Sequence, residues 1–481
     1  MSCIDNLTQS RVFHYFKEIS AIPRGSGNMK GIADFCENFA KSLNLEYIRD
    51  SLDNVIIFKP ATPDYENSEP VILQGHLDMV CQKTEDCDID FEKDGIDLYI
   101  DGDFIKAHGT TLGADNGIAV ATVLAILESD TLKHPPIEAV FTVDEEVGML
   151  GAMALDMSVL KGKRMINLDS EEEDTLTVSC AGGGDFTVNM PIAHEKKSGT
   201  AVTLAVKGLK GGHSGVEINS GRVNANLLAG RILDSVKKDC DFDIISVNGG
   251  DKSNAIPNRC TAKLCVCDTI AFKTSTEKVF DIIKKEISHR EEDFNIELIF
   301  ENQGEYDVFS TETRDKLLLT LLCVPNGVIE MSAEIENLVE TSLNLGILKT
   351  DKEKTELGFS LRSNKKSAQA FLERRLGAFF ASIGLGYEKA GFYPPWEFKS
   401  NSPLQELYCE IYEKHYGKKP IVAAIHAGLE CGVFSSAIDN LDCISVGPAM
   451  YDVHTTAEKL SISSTERLYS ILTDMLEKMK R

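Results

Sequence analysis

The strongest constraint on this chain is a pattern that repeats: an apolar run of strand length that ends, with no loop, on side chains able to hold a cation. It is first met in VILQGHLDMV, residues 71 to 80, where Val71-Ile72-Leu73 passes directly into Gly75-His76-Leu77-Asp78. The run has the β-branched content of a buried strand. Side chains i and i+2 of a strand share a face, so His76 and Asp78 converge on one side while Leu77 points back into the core. Taken singly, H-x-D also describes a core histidine beside a solvated aspartate, and such short patterns recur by chance. Repetition decides between the two.

Ile137 to Val143, IEAVFTV, is a second run, and it ends in Asp144-Glu145-Glu146-Val147-Gly148. Three consecutive acids at the end of a buried strand are costly unless paired or coordinated. In a third, Arg164-Met165-Ile166-Asn167-Leu168 delivers Asp169, with Glu171, Glu172 and Glu173 beyond it. In a fourth, Asp442-Cys443-Ile444-Ser445-Val446 leads through Gly447-Pro448 to Tyr451-Asp452-Val453-His454. Between the first two, TTLGADNG (110 to 117) opens onto an apolar helix from Ile118 to Leu127. Asp115 there is placed to cap the helix or, from a loop of small residues, to turn its carboxylate outward to a metal. Strands separated by helical crossovers imply an α/β domain built on a mostly parallel mixed sheet with helices on both faces. Ligands of such sheets gather outside the carboxyl ends of the strands, where all these candidates fall.

The set defines a chemistry. His76, Asp115, Glu146, Asp169 and His454 supply two imidazoles and three carboxylates, too many for one tetrahedral zinc and suited to two divalent ions bridged by Asp115. Two such ions polarise a carbonyl and lower the pKa of a shared water to about 7. Glu145, beside Glu146 but facing the other way, is free to act as general base and carry a proton to a leaving amine. Asp78 accepts from the ring N–H of His76 and fixes its tautomer.

Composition narrows the surroundings. The net charge of -25, from 75 acidic against 50 basic residues, opposes nucleic acid and anionic membrane surfaces as partners. No apolar run reaches the roughly 18 residues of a membrane span, and MSCIDNLTQSRVFHYF lacks the basic and apolar regions of an export signal. The thirteen cysteines are scattered without a C-x-x-C pair, as expected of reduced thiols in a cytoplasmic protein. The 481 residues make room for roughly two to four domains. Residues 8 to 45 predict two helices, the second from Met29 to Leu43 with Ile32, Phe35, Phe39 and Leu43 along one face. The acidic stretch 84 to 108, punctuated by Gly95 and Gly102, predicts a hairpin near the site.

GHLDMV, GADNGIA, DEEVGMLGA, NLDSEE, GGHSG, HAGLECG and YDVHTTAE, in that order over nearly the whole chain, together resemble the co-catalytic zinc exopeptidases that include carboxypeptidase G. Within them the resemblance is greatest to the aminoacyl-histidine dipeptidase branch, the Xaa-His dipeptidases or peptidase D group. It implies His76, Asp115, Glu146, Asp169 and His454 as metal ligands, Asp78 as the orienting acid and Glu145 as the base. It further implies dipeptide substrates with a free amino terminus, often with histidine second and including β-Ala-His, and zinc as the metal, with manganese or cobalt as alternatives. A homodimer is the assembly it suggests.

The middle of the chain predicts an inserted α+β lid domain, residues 187 to 390, between two segments, 1 to 186 and 391 to 481, of one catalytic domain. Ala181-Gly182-Gly183-Gly184 is the expected flexible hinge. His213 lies in the Gly-rich loop GLKGGHSG, Asn254 in a turn before Ile256-Pro257, and Arg362 at a strand end where a guanidinium can grip a carboxylate. All three are also readable as turn or surface residues. The resemblance favours His213 as an oxyanion donor, arriving on lid closure or from a neighbouring subunit, and Arg362 as the clamp on the substrate's terminal carboxylate. His426 and Glu430 lie four apart, either holding the substrate amine through Glu430 or making a helix-start contact. The expected function is a metal-dependent dipeptidase. A tripeptide aminopeptidase or aminoacylase of the same fold is the nearest alternative, and a non-catalytic binder is disfavoured by the retained Glu145.

Overall fold

Strands buried on both faces are continuous apolar runs, and the runs just described lie side by side in one sheet. The computed structural model describes Leu7 and residues 10–480, so residues 8 and 9 of the expected first helix lie outside the described residues. The chain divides into two units. One comprises Met1–Cys180, Trp396–Ala424 and Leu429–Arg481; the other comprises Ala181–Pro395 with Ile425–Gly428.

The first unit is built on an eight-stranded mixed sheet. Its order is Glu46–Arg49, Val55–Lys59, Ile137–Thr142, Val71–His76, Arg164–Asn167, Asp442–Ser445, Thr175–Cys180 and Ile421–Ile425. The four strands from Ile137–Thr142 to Asp442–Ser445 run parallel, so their carboxyl ends emerge at one edge. Their flanking partners run antiparallel. Register sets His76 opposite Thr142 and Gln74 opposite Asn167. The helix Ala114–Glu128 is buried over almost its whole length, which explains why its sequence shows no polar face. Helices Arg11–Ser20 and Lys30–Ser42 match the two expected at the N-terminal end.

Of the acidic stretch 84 to 108, only Leu98–Asp101 and Phe104–Ala107 form the hairpin. It extends through Lys459–Ser461 to Met450–Tyr451, which fixes the segment bearing His454. Among the described residues no helix is long and apolar enough to cross a membrane.

The second unit packs a four-stranded and a five-stranded sheet with helices Ala225–Lys237, Thr269–Ile287, Thr311–Cys323 and Lys366–Ser382 around one apolar core. Gly182-Gly183-Gly184 is no flexible hinge. These residues begin the strand Gly182–Pro191, paired residue for residue with Lys354–Ser363. A Cβ at Gly184 would lie 2.4 Å from the Phe392 ring, and one at Gly182 2.4 Å from the Pro395 nitrogen, so the glycines are there for close packing. The units accordingly part at 180/181 and 395/396 rather than at 186/187 and 390/391. Where the chain leaves and returns, Cys180 and Trp396 exchange two backbone hydrogen bonds of 3.1 Å.

Asn224 joins the second unit's helices to its sheet. Its Oδ1 accepts from the backbone of Asn226 (3.0 Å) and Leu227 (3.3 Å), capping Ala225–Lys237, while Nδ2 donates to Asn344 Oδ1 and the Leu345 carbonyl, both at 3.1 Å. Asn224→Ala is expected to cost about 1–2 kcal/mol. Hydrogen exchange should show earlier loss of amide protection across residues 225–237; unchanged protection would show that the cap is dispensable.

Candidate metal centre and catalytic residues

The parallel strands deliver their terminal side chains to one place. His76 closes the strand Val71–His76, with its backbone N–H on Asn116 Oδ1 at 3.1 Å. Asp115 comes from a turn whose shape is imposed from outside. The buried carboxylate of Glu458 accepts from the N–H groups of Leu112 (2.7 Å), Gly113 (3.1 Å), Ala114 (2.9 Å) and Asp115 (3.4 Å). Beneath the turn, the buried Arg24 guanidinium donates to the carbonyls of Leu77 (3.0 Å), Asp78 (3.2 Å) and Gly113. Gly113 has φ +68°, and a Cβ there would lie 2.5 Å from Arg24 Nη2, so both backbone and space require glycine.

Two donor groups result, joined by one carboxylate. His76 Nε2 stands 3.1 Å from Asp115 Oδ1 and 3.5 Å from Asp169 Oδ1. His454 Nε2 stands 3.1 Å from Asp115 Oδ2 and 2.9 Å from Glu146 Oε1. Two donors each about 2.1 Å from one tetrahedral ion lie about 3.4 Å apart, a spacing these four histidine–carboxylate distances approach, and Asp115 turns one oxygen to each histidine. His76, Asp115 and Glu146 each bring a donor atom within 4.8 Å of the others.

Asp78 supports both sides of the cluster. Its carboxylate lies 3.3 Å from His76 Nδ1 and accepts from the backbone N–H groups of Glu145 (3.0 Å) and Glu146 (3.2 Å) and from Ser26 Oγ (2.8 Å). It thereby leaves Nε2 of His76 facing the donors and fixes the turn that carries Glu145 and Glu146.

The electrostatics call for positive charge. Hydrogen bonds to Asp115 and Glu146 push His454 up to about 11. Burial works to lower His76, yet Asp169, Asp115 and Asp78 hold it well above its usual value. Burial, reinforced by Asp115 and Glu146 against the pull of His76, pushes the Asp169 carboxyl up to about 7. Burial likewise holds Glu145 well above the carboxylate range, with the charges of Asp169, Glu430 and Glu146 adding to it and His76 opposing. A carboxyl so raised suits proton transfer near neutral pH.

Glu430 begins the helix Glu430–Ala437 in this unit, is 0% exposed, and accepts from Gln74 Nε2 and Thr142 Oγ1. It has no surface on which to hold a substrate amine. His426 precedes this helix and belongs to the other unit.

In the second unit, the short strand Gly212–His213 pairs with Ala255–Ile256, and Ser214 N–H bonds the Asn254 carbonyl at 2.9 Å, bringing His213 and Asn254 together. His213 Nδ1 accepts from the backbone of Gly215 (3.2 Å) and Val216 (3.3 Å), which places the ring proton on Nε2 as a donor. Burial, then the Arg362 charge, lowers its pKa. Arg362 is 8% exposed, donates through Nη1 to Tyr393 Oη at 3.2 Å, and leaves Nε without a partner. His426 departs from expectation. It is 5% exposed, and its ring nitrogens are engaged by Ser342 Oγ (2.7 Å) and Asn364 Oδ1 (3.1 Å), leaving none for a substrate.

Sequence reasoning missed Glu458, Arg24 and Ser26. For Glu458 a signal existed: it lies four residues after His454, in the same motif, and is an acid followed by a strand.

An α/β sheet at whose carboxyl edge strand ends, a helix-start turn and a following segment bring together five histidine and carboxylate donors and a raised carboxyl defines a hydrolase of the metallopeptidase class. The chain belongs to peptidase family M20/M25/M40, whose model matches residues 72–478. It is 37% identical to the cytosol non-specific dipeptidase of Escherichia coli (strain K12), over 100% of this chain and 99% of that protein. The crystal structure of aminoacylhistidine dipeptidase from Vibrio alginolyticus is 36% identical, with a TM-score of 0.90 over 99% of this chain and 98% of that one. Aminopeptidase PepT from Bacillus cereus ATCC 10987 shares the fold at 15% identity, with a TM-score of 0.56 over 98% and 99% of the two chains. The protein is a peptide-bond hydrolase.

Asp78→Asn replaces a carboxylate that accepts from two backbone N–H groups and Ser26 Oγ and faces the His76 ring with a group that accepts at one end only. If the donor cluster takes up a divalent ion, its affinity, probed with zinc, is expected to fall by about 10–100-fold. Competition against a chromophoric chelator measures this, and unaltered affinity would refute the supporting role.

Proposed function

We propose that this protein is a cytoplasmic dipeptidase that needs two divalent ions, zinc foremost, and cleaves short peptides with free amino termini, Xaa-His dipeptides such as β-Ala-His among them. The observation that carries the two-ion part of this reading is Asp115, with one carboxylate oxygen on the His76 group and the other on the His454 group; likeness to the dipeptidases named above supports the substrate class. His76, Asp115 and Asp169 would hold one ion, and His454, Asp115 and Glu146 the other; ions held there would supply Lewis acidity toward the scissile carbonyl and lower the pKa of a nearby water.

The remaining work falls to the chain's own groups. Glu145 takes the proton of the attacking water and returns it to the leaving amine. Asp78 keeps the His76 ring in the tautomer that offers Nε2. His213, as an Nε2–H donor, stabilises the tetrahedral oxyanion, with Asn254 on the neighbouring turn as a further substrate contact. Arg362 grips the substrate's terminal carboxylate, a planar guanidinium being able to hold both of its oxygens. The working assembly in this reading is a homodimer.

Glu145→Ala should keep its metal while turnover falls by about 10²-fold or more, the loss expected for a general base. Asp115→Ala should lose metal and activity together, since one carboxylate serves both ions. Elemental analysis of the two purified variants separates the roles, and equal depletion in both would refute the division.

Wild type should hydrolyse a dipeptide much faster than its C-terminal amide. In Arg362→Ala that gap should shrink by the equivalent of about 1.5 to 3 kcal/mol, the charge-assisted bond having gone. Equal rates on acid and amide in wild type would rule out the clamp.

A further inference from the structure

Behind the donor cluster, three neighbouring parallel strands each place one uncharged polar side chain, fully buried, close to their carboxyl ends. These are Gln74, Thr142 and Asn167, all 0% exposed. Each stands just upstream of a donor on its own chain segment. Gln74 is two residues before His76 and so on the same side of the strand, Asn167 is two before Asp169, and Thr142 immediately precedes the turn that carries Glu145 and Glu146. One carboxyl gathers them. Gln74 Nε2 donates to Glu430 Oε2 at 2.5 Å and to Thr142 Oγ1 at 3.2 Å. Thr142 Oγ1 donates to the same Glu430 oxygen at 2.7 Å. Asn167 Nδ2 donates to Gln74 Oε1 at 2.5 Å, and its own Oδ1 accepts from the Asp169 backbone at 3.3 Å.

A fully buried carboxyl with no basic partner is a poor choice for stability, since an apolar side chain of similar size would cost less in that position. Its second oxygen, Oε1, has no hydrogen-bond partner. Burial pushes the carboxyl up to about 7, consistent with a neutral group used as a hydrogen-bonding hub. What an apolar residue lacks is the ability to bond across three strands at once. The backbone ladders fix register only in whole residues, whereas metal donors must be held to within about 0.2 Å.

We infer that Glu430 is a positioning residue for the donor cluster: through Gln74, Thr142 and Asn167 it locks together the three strands that deliver His76, Glu146 and Asp169, and so sets their affinity for divalent ions. The inference rests on the metal-site reading above. Glu430 touches neither substrate nor ion in this scheme, and its charge is not required.

The test is zinc affinity of the metal-free full-length protein, by competition with a chromophoric chelator, for wild type, Glu430→Leu, Glu430→Gln and Thr142→Val. Glu430→Leu is expected to bind zinc about 10–100-fold more weakly. Glu430→Gln, uncharged but still offering an oxygen to Gln74 and Thr142, should stay close to wild type. Thr142→Val, which preserves shape and removes one donor, should show a smaller loss in the same direction, and it carries the test should Glu430→Leu fail to fold. With saturating metal, KM for a dipeptide should be the same in all folded variants. Unaltered affinity in both Glu430→Leu and Thr142→Val overturns the inference, as does a KM raised in Glu430→Gln, which would mean that the carboxylate charge meets the substrate. Wild type that takes up no zinc overturns the metal-site reading and this inference with it.

Discussion

A carboxylate taken out of water must meet positive charge or donors on each open face, and Asp115 does so with an imidazole at either oxygen, 3.1 Å away on both sides. Much of the first unit follows from that demand. The two imidazoles come from opposite ends of the sequence, so the sheet has to bring the strand ending at His76 and the segment after Asp442–Ser445 to one edge. The turn bearing Asp115 has to be rigid, and a distant acid, Glu458, and a distant base, Arg24, form it by occupying its backbone N–H and C=O groups. Further carboxylates, Asp169 and Glu146, crowd the same place. The energetic sense of that crowding is a site built to hold cations.

That His76, Glu146, Asp169 and His454 would come to one edge was legible in the sequence because each follows an apolar strand run, and strand periodicity turns a position in such a run into a direction; Asp115, before a helix, had no such run. The props around them were not. Glu458 and Arg24 act on backbone groups up to several hundred residues away, and an acceptor for a backbone N–H leaves no local pattern. The same limit explains His426. Its partners are far off in sequence, Ser342 on a strand and Asn364 just past the end of Lys354–Ser363, so a histidine near a glycine looked available when both of its nitrogens were taken.

In the second unit, residues 201 to 206 read as a strand, the core of His194–Lys207, whereas its long partner Asn295–Phe309 escaped because most of its residues are exposed and its apolar alternation is confined to its first half. Helix Thr269–Ile287 shows few buried residues over its length, which thins the 3.6-residue period, although Asp268 caps it as a sequence signal would suggest. The glycine run at 182 to 184 was legible as special but not as to cause. Glycine serves both flexible turns and close packing, and only the neighbours Phe392 and Pro395 decide between them.

An insertion of 215 residues, Ala181–Pro395, leaves the first sheet undisturbed because its two ends are stitched at Cys180 and Trp396, where exit and return pair through their backbones. Closing such a loop costs little once the inserted chain folds by itself and its ends meet. Trp396 is also the only tryptophan in the chain, and it is 3% exposed. The intrinsic fluorescence of this protein is therefore a single-point signal. It comes from the seam where the two lengths of chain are joined, so spectroscopists have a native probe of whether that seam is dry and zipped, with no dye and no engineered label.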